Sequence, residues 1–454
     1  MRPKPPSRGL SQVDAFFVAY QERTGILMQI GSEMELRGAV QLSDVTQMVK
    51  RLVTRWPQLG QRIRRRLFGL EWYGEPDVRS MVSQGTDRQQ IEAWRDRPID
   101  PFVEPPFQVL WVPGRWRTDL AFRAHHAVAD GESFSYLSTE ALLLLAAIRS
   151  GRVLGPRPDA LPPPHVGWGS IGKVLRHARW LGRDTRAARS ARLWVHTVST
   201  GGTGVVERAL AGDDLDAMRE RAARSRTSPP WVCAAAWIRA IHRWNQGHGQ
   251  SSDPRLSLEV PVSLRRQRQR GFAVGNFVSP LVVLGDGSQP LELVAHSLSR
   301  QLRSAIRDGA HLSMPLLTSP TRHLPWGLFR RWAVNTGTTG FATSHFTWLS
   351  QHRNLFEEVA ERSHGALELQ HQLTYTPVCL HMGATLCVVG WPDRLQLFIS
   401  YRETALSGDE AEMLGRMLVA ELTRSIAPRK YTPHEGGPGS RLRRRRPHRR
   451  TGPA

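Results

Sequence analysis

Residues 124–131 read AHHAVADG, and they connect a predicted strand at residues 120–124 to a predicted helix at residues 132–148. Two adjacent histidines therefore stand where a strand ends, and Asp130 and Gly131 close the turn. Histidine exchanges protons near neutral pH because its ordinary pKa is about 6.5, and a strand end fixes the ring, as a general base requires. Glycine permits unusual dihedral angles and close approach of a ligand. The pattern predicts an acid–base site; the alternative is a surface loop or a buried histidine pair.

Helical and strand patterns alternate on both sides of this segment. Ser11 is placed to cap a short helix that carries Val13 and Phe16, and Ser43 to cap a second helix. Strands are predicted at residues 26–36, 107–112, 255–262 and 277–284, with two more within 382–401. Further helices are predicted at residues 213–223, 230–244, 291–306 and 407–425. This mixture predicts the α/β or α+β class in two lobes, joined by the Gly- and Pro-rich residues 151–165.

Length and composition exclude several classes of protein. The chain has 454 residues, of which 40% are hydrophobic, which is enough for a large packed core. Three cysteines cannot form a disulfide framework in such a chain, which favours a reducing cytoplasm. The first residues have no apolar run behind their basic residues, so we expect no signal peptide. The longest apolar run covers residues 141–148, against the roughly 20 residues of a spanning helix, so we expect no integral membrane protein.

The formal net charge of +22 is concentrated in two segments. Residues 428–454 hold nine basic residues and one acid and little that is apolar, which predicts a disordered tail. Residues 170–193 have apolar residues at helical spacing among arginines, which is typical of a basic amphipathic helix. Both segments are candidates for peripheral contact with anionic lipid, and the tail for contact with RNA. The alternatives are a solvated tail without a partner and a surface helix that packs on its own domain.

The sequence does not satisfy three other known motifs. Residues 167–173 fit G-x-x-x-x-G-K, but Val174 stands where a phosphate-binding loop has a hydroxyl, and prolines precede it instead of a strand. His371, Cys379, His381 and Cys387 lack the paired spacing of a zinc site, so we expect no metal. The G-x-S-x-G turn of common serine hydrolases is also missing.

The motif H-H-x-x-x-D-G at residues 125–131 resembles the signature of the acyl-CoA-dependent acyltransferase superfamily. That superfamily includes chloramphenicol acetyltransferase-like enzymes and peptide-synthetase condensation domains. Among its members the chain is most similar to bacterial wax ester synthase/diacylglycerol acyltransferases. The similar stretches are LSQVDAFF at residues 10–17, PPFQVL at residues 105–110, VPVSLR at residues 260–265 and GN at residues 275–276.

The resemblance implies an α/β fold of two chloramphenicol acetyltransferase-like lobes with an active-site tunnel between them. It places the N-terminal lobe at residues 1–165, and the C-terminal lobe, preceded by the basic helix, at residues 166–427. The disordered basic tail at residues 428–454 follows.

The resemblance also implies roles for single residues. His126 is the general base, and His125, Asp130, Gly131 and Arg265 support the site, with Asp130 paired to Arg265 across the lobes. Two further residues, Asn276 and Ser344, are expected to bind substrate. The chain departs from the family around residues 343–348, where TSHFTW replaces a Ser-Asn pair followed by small residues.

The implied activity is O-acyl transfer from acyl-CoA to an alcohol such as a long-chain alcohol or diacylglycerol. Acyl-CoA is then a substrate, and no cofactor is expected. Because no activated Ser or Cys accompanies the histidines, no acyl-enzyme is expected. The enzyme is expected in the cytoplasm, including peripherally at the inner membrane surface, and nucleic acid is not expected as its partner.

Two alternatives stay open. One is a condensation-type acyltransferase that uses a carrier-bound acyl donor or an amine acceptor in secondary metabolism. The D-F-G-W-G segment of condensation domains is absent, and its place is taken only by VGWP at residues 389–392, which argues against this alternative. The other is a non-catalytic basic protein that binds membrane or RNA, which a steep salt dependence of binding reveals.

Overall fold

The computed structural model describes residues 9–151, 172, 190–250, 253–265, 274–313, 315, 321, 324–338, 342–350 and 354–424. Residues 9–423 belong to one compact unit. Nearly all of the predicted linker, most of the predicted basic helix and the whole of the predicted tail lie outside the described residues. Within the described residues, no helix is both long and apolar enough to cross a membrane.

Residues 78–81, 89–96, 326–338 and 355–362 form helices that the sequence patterns did not predict. The described residues form eleven α-helices, and the other seven lie in predicted segments. The eleven are α1 (Gln12–Thr24), α2 (Leu42–Arg55), α3 (Val78–Met81), α4 (Gln89–Asp96), α5 (Gly131–Arg149), α6 (Gly212–Arg224), α7 (Pro229–Gly247), α8 (Leu291–Arg307), α9 (Trp326–Thr338), α10 (Leu355–Arg362) and α11 (Gly408–Thr423). Helix α1 begins with a capping box between Ser11 and Asp14 and ends at Gly25, whose φ is +71°. Helix α2 begins one residue before the predicted cap, because Gln41 and Asp44 close its first turn instead of Ser43.

Strands form two large sheets and one hairpin. They are β1 (Gln29–Arg37), β2 (Arg62–Arg65), β3 (Leu70–Tyr73), β4 (Val82–Gln84), β5 (Phe107–Val112), β6 (Arg117–His125), β7 (Thr203–Ala211), β8 (Arg255–Ser263), β9 (Val278–Asp286), β10 (Ser344–Ser350), β11 (Glu368–Tyr375), β12 (Ala384–Gly390) and β13 (Arg394–Arg402). The predicted mixed α/β class with two sheet-bearing lobes is confirmed.

The first sheet has the strand order β11-β1-β6-β5-β4 and holds the histidine motif. Strand β6 lies antiparallel to β1, with His125 opposite Gln29. Strand β11 comes from the second half of the chain and pairs antiparallel with the free side of β1. The first sheet is therefore completed by a strand that begins 243 residues after β6 ends, and no local sequence pattern predicts this placement.

The second sheet has the order β7-β13-β12-β10-β8-β9. Strand β10 lies parallel to both β12 and β8, and His345 of β10 is the register partner of Glu259 of β8. Side chains of register partners point to the same face of a sheet, and so do residues two apart on one strand. Glu259, His345 and Thr347 are thus brought to one face.

Each large sheet packs against its own helices. Apolar side chains of α2 and α5 form one core with the first sheet, and those of α6, α7, α8 and α11 form a second core with the second sheet. The histidine turn belongs to the first core through Ala127, Val128 and Ala129, and Arg265 and Phe277 from the second half of the chain bond to its Asp130.

Candidate active site

Hydrogen bonds of Asp130 fix the turn that follows β6. Its Oδ1 accepts the backbone N–H of Ser133 at 2.8 Å, so Asp130 is the N-cap of α5. Its own N–H donates to the carbonyl of Gly275 at 3.1 Å. Asp130 therefore begins the helix and bonds the turn to the second half of the chain.

Asp130 and Arg265 form a bidentate ion pair across the two halves. Nη1 and Nη2 of Arg265 each lie 2.9 Å from one carboxylate oxygen, and both side chains are 1% exposed. The second oxygen of Asp130 also accepts the N–H of Phe277 at 2.8 Å. Every favourable direction around the buried carboxylate is thus occupied, as a charge without solvent requires. This pair orients the turn that carries His126.

Position 275 requires a glycine because of its backbone angle and the ring that lies against it. Its φ is +151°, and a Cβ there would lie 2.9 Å from the ring of Phe277. Its carbonyl accepts from Asp130 and from the hydroxyl of Ser133 at 2.8 Å. Any larger residue would displace the segment that meets Asp130, and with it the neighbouring Asn276.

Asn276 fixes the tautomer of His126. The Nδ2 group of Asn276 donates to the carbonyl of His126 at 2.6 Å and to Oδ1 of Asp14 at 2.9 Å. Both of these partners only accept, so Oδ1 of Asn276 is the atom that lies 3.1 Å from Nδ1 of His126. Nδ1 must then carry the proton and donate it. The lone pair of Nε2 is left as the basic site of the ring.

The His126 ring is held by stacking and kept neutral by burial. The ring of Phe17 stacks on it at 3.9 Å between centroids, with 24° between the planes. Burial lowers the pKa of His126, and Asp130 and the hydrogen bond that the ring donates to Asn276 only partly oppose this effect. The imidazole is therefore neutral at pH 7.

Replacing Asn276 by alanine should lower kcat by about 100-fold, because the ring loses both its orientation and its tautomer. KM should change little, since Asn276 faces the ring and not the cavity. Steady-state kinetics with a melting curve measure both effects. A change confined to KM would instead show that Asn276 binds substrate.

His125 is buried and stabilises the turn through a hydrogen bond. Its side chain is fully buried, and Nδ1 accepts the N–H of Ala127 at 3.0 Å. Burial lowers the pKa of His125 to about 3. The ring is therefore neutral and structural, and it does not reach the cavity.

A cavity of about 330 Å³ opens beside His126. Both sheets and helices α1 and α5 contribute to its wall, which is mostly apolar. Apolar lining residues include Val13, Phe16, Phe17, Met28, Ile30, Phe134, Val278, Leu349 and Met382. Of the predicted site residues, His126, Asp130 and Gly131 line it. Among the described residues, the cavity wall does not include His125, Arg265, Asn276 or Ser344.

Two sequence predictions need correction. Gly131 has no left-handed φ, and a Cβ there would meet Leu349 and Thr347 at ordinary distances of 3.8 and 3.9 Å. Glycine here therefore leaves cavity space at the start of α5; it does not permit an unusual turn. Asn276 positions His126 and is not in the described cavity wall.

Ser344, which was expected to bind substrate, is not among the described residues that line the cavity. Its side chain is fully buried, and its hydroxyl accepts from Nε1 of Trp237 at 2.9 Å and donates to the carbonyl of Ala384 at 2.7 Å. Strand alternation points Ser344 into the second core and points His345 and Thr347 into the cavity.

Sequence reasoning missed three groups that the structure brings to the site. Asp14 holds Asn276 from the first helix, and Phe17 stacks on His126. The third group is Glu259, His345 and Thr347, which line the cavity together. Strand alternation marks His345 and Thr347 as neighbours on one face, but only the pairing of β8 with β10 adds Glu259.

No protein-family model and no curated protein sequence matches this chain. Solved structures do match over nearly its whole length. The trichothecene 15-O-acetyltransferase of Fusarium sporotrichioides aligns with a TM-score of 0.71 at 12% identity, covering 92% of this chain and 94% of that one. The first condensation domain of the calcium-dependent antibiotic synthetase, solved with a substrate analogue, gives 0.65 at 15% identity, covering 93% and 96%.

A third similar structure is the starter condensation domain of rhizomide synthetase, solved with C8-CoA and Leu-SNAC. It aligns with a TM-score of 0.64 at 13% identity, covering 92% of this chain and 94% of that one. At these identities the likeness concerns the fold. The chain therefore has the two-lobed fold that acyltransferases and condensation domains share.

Proposed function

We propose that this chain is an acyltransferase that moves an acyl group from a thioester to a hydroxyl acceptor, with Nε2 of His126 as the general base. The observation that carries the proposal is the bond between Asn276 and Nδ1 of His126, beside an apolar cavity. That bond puts the proton on Nδ1, so Nε2 is the atom that accepts a proton. The fold shared with acyltransferases supports the same chemistry.

The reaction follows from this arrangement. Nε2 of His126 takes the proton of the acceptor hydroxyl as its oxygen attacks an acyl carbonyl. When the tetrahedral intermediate collapses, the bond to the leaving group breaks and His126 returns the proton to that group. Each step is a proton transfer or an acyl transfer, so the proposal names no cofactor. A general base of this kind contributes about 100- to 10,000-fold to the rate.

The lining favours long apolar substrates. An acyl chain or a long-chain alcohol would bury its methylene groups against the wall, at about 0.8 kcal/mol for each buried CH₂. This supports the family resemblance to wax ester synthase/diacylglycerol acyltransferases, with acyl-CoA as donor and a fatty alcohol or diacylglycerol as acceptor. The active-site tunnel between the lobes is part of the same proposal. Contact of the basic helix or tail with an anionic membrane stays a prediction from the sequence.

A condensation-type reaction is the second candidate, because condensation domains are among the similar structures, one of them solved with C8-CoA and Leu-SNAC. Its donor would be an acyl group on a carrier protein, and its acceptor an amine. The same His126 would take the proton of the attacking nitrogen. The two candidates differ in substrate and not in base.

A substrate panel tests the proposal and separates the candidates. Purified protein is incubated with acyl-CoAs of increasing chain length, and with the same acyl groups on a carrier protein, against alcohols and amines. Release of free thiol and formation of ester or amide are followed together. Ester from acyl-CoA supports the first candidate, and amide from the carrier-bound donor supports the second. No acyl product from any combination would contradict both.

The pH profile of the reaction should reflect the lowered pKa of His126. The base acts only when neutral, and burial keeps it neutral to lower pH. We therefore expect kcat/KM to stay level through neutral pH and to fall on acidification with a midpoint below about 6.5. Initial rates between pH 4.5 and pH 8.5 measure this. A midpoint above the ordinary histidine value would contradict the described environment.

A further inference from the structure

The turn of the β2–β3 hairpin carries two exposed apolar side chains. Leu67 is 79% exposed and Phe68 is 55% exposed, and Arg66 closes the turn by donating its N–H to the carbonyl of Gly69 at 3.1 Å. Single exposed apolar residues are common on proteins and need no explanation. Two adjacent ones at the end of a hairpin form a patch, and exposed apolar patches mark interaction sites.

A third exposed apolar side chain extends this patch. Phe68 forms a β-bridge with Pro325, directly before α9, and Leu328 in the first turn of α9 is 57% exposed. Arg331 follows three residues later and is also exposed, and residues three apart lie on one side of a helix. We call this patch and its nearest arginines the hairpin surface: Arg64, Arg65, Arg66, Leu67, Phe68, Leu328 and Arg331.

Positive charge surrounds the apolar residues at the end of the hairpin. Arg64 and Arg66 both bind Glu71, with Nη1 of Arg66 at 2.8 Å from the carboxylate. Glu71 is 1% exposed, whereas the two arginines are more than half exposed. The carboxylate therefore lies beneath them and balances only one of their two charges. One positive charge is left on the outer side.

Glu22 of α1 joins the hairpin to α9 in the same way. Arg65 of the hairpin and Arg330 of α9 both bind its Oε1, the latter at 3.4 Å. Nε1 of Trp326 donates to its other oxygen at 3.2 Å. Two arginines again share one carboxylate, so a second positive charge remains. The same contacts hold the hairpin and the helix in a fixed arrangement.

We propose that the hairpin surface binds an anionic lipid bilayer. Leu67, Phe68 and Leu328 enter the edge of the apolar layer, and the arginines contact the lipid phosphates. Arginine suits this position because its planar guanidinium binds phosphate bidentately while its apolar stem lies beside lipid. Negative lipid attracts a basic segment before the apolar side chains insert. The hairpin surface shares no residue with the predicted basic helix or tail.

Helix α9 connects the hairpin surface to the cavity. Trp332 lines the cavity and follows Leu328 by four residues, so the two side chains are neighbours on one side of the helix. Helix α1 likewise contributes Phe16 to the cavity wall and Glu22 to the ion pairs beneath the hairpin surface. A bilayer bound here would hold lipid molecules one helical turn from the cavity wall. The inference does not rest on the proposed function, because binding to lipid requires no acyl transfer.

Sedimentation with vesicles tests the proposal. The full chain is mixed with vesicles of phosphatidylcholine, with and without phosphatidylglycerol. The wild type should bind the anionic vesicles. Leu67→Ser/Phe68→Ser should lower the partition coefficient about tenfold or more, because two apolar side chains no longer leave water. Arg66→Gln/Arg331→Gln should lower it about fivefold for each charge at low salt, and less at high salt. Melting temperatures should stay near that of the wild type, since all four side chains are exposed.

Trp116 supplies the matched control. It is 73% exposed in the turn between β5 and β6, and the guanidinium of Arg115 lies 5.3 Å from the centre of its ring. It is therefore another exposed apolar side chain beside arginine, outside the hairpin surface. Trp116→Ser should leave vesicle binding unchanged. A loss as large as that of Leu67→Ser/Phe68→Ser would contradict the proposal, because the effect would not depend on the hairpin surface.

A fluorescent label shows which segment enters the bilayer. Leu67→Cys and Trp116→Cys are each labelled with nitrobenzoxadiazole, whose emission shifts to the blue in apolar surroundings. Burial raises the pKa of the three native thiols to about 12, so they react slowly with the label. With anionic vesicles, the label at position 67 should shift to the blue and be quenched by spin-labelled lipid. The label at position 116 should do neither.

The outcomes separate the hairpin surface from its competitors. If the chain binds vesicles while the label at position 67 stays in water, another basic segment binds them and the proposal is wrong. If Arg66→Gln/Arg331→Gln loses binding to single-stranded RNA while its vesicle binding is unchanged, the surface recognises nucleic acid instead. A wild type that ignores anionic vesicles would overturn the proposal outright. None of these results bears on the acyl transfer, which is measured without vesicles.

Discussion

Replacing His126 by alanine should lower kcat by about 100- to 10,000-fold, which is the contribution of a positioned general base. The structure gives the reason. Nδ1 is engaged by Asn276, so Nε2 alone remains to take a proton, and the ring belongs to the cavity wall. Without the imidazole, this proton acceptor is lost from the cavity wall. Acyl transfer to the acceptor, measured as product formed, tests this.

His126→Asn provides the matched control. Its amide N–H can replace Nδ1 in the bond to Oδ1 of Asn276, but it has no basic nitrogen at the position of Nε2. We therefore expect the asparagine variant to fold like the wild type and to lose as much activity as the alanine variant. An asparagine variant that keeps most of its activity would reject His126 as the base.

Replacing Arg265 by methionine should lower the free energy of unfolding by about 3–5 kcal/mol, because Asp130 is left as a buried charge without its partner. Both side chains are 1% exposed, and they belong to different halves of the chain. The loss should therefore loosen the contact between the halves and displace the His126 turn. Urea unfolding of the wild type and the variant measures the change.

Two controls sharpen this second prediction. Removing both charges, in Asp130→Leu/Arg265→Met, should cost less than removing Arg265 alone, because no unpaired buried charge remains. The exposed pair of Arg224 and Glu220, whose side chains are 51% and 66% exposed, serves as the reference. Arg224→Met should change the unfolding free energy by less than about 1 kcal/mol. Equal effects of Arg265→Met and Arg224→Met would show that burial does not strengthen the first pair.

Much of the first lobe could be predicted because its signals are local. The strand that ends at His125, the turn and the helix from Gly131 follow from apolar periodicity and from residues that cap helices. Ser11 caps α1 as predicted, and Asp14 completes a capping box that was not predicted. The mixed α/β class follows from the same alternation along the whole chain.

The residues whose positions differ from the expectation are those whose orientation depends on a distant segment. Ser344 and Thr347 lie three residues apart on β10, and only the packing of the second sheet decides that the first faces the core and the second the cavity. Asn276 was expected to face substrate, but Asp14, more than 260 residues away in sequence, turns its amide toward His126.

By itself, the sequence determined the fold class and the position of the histidine motif between a strand and a helix, because hydrogen bonds and side-chain periodicity within a short segment decide both. Only the tertiary structure decided the tautomer of His126 and the row of Glu259, His345 and Thr347. These depend on which strands become neighbours and in what register. Long-range pairing sets that register, and its information is spread over the whole chain.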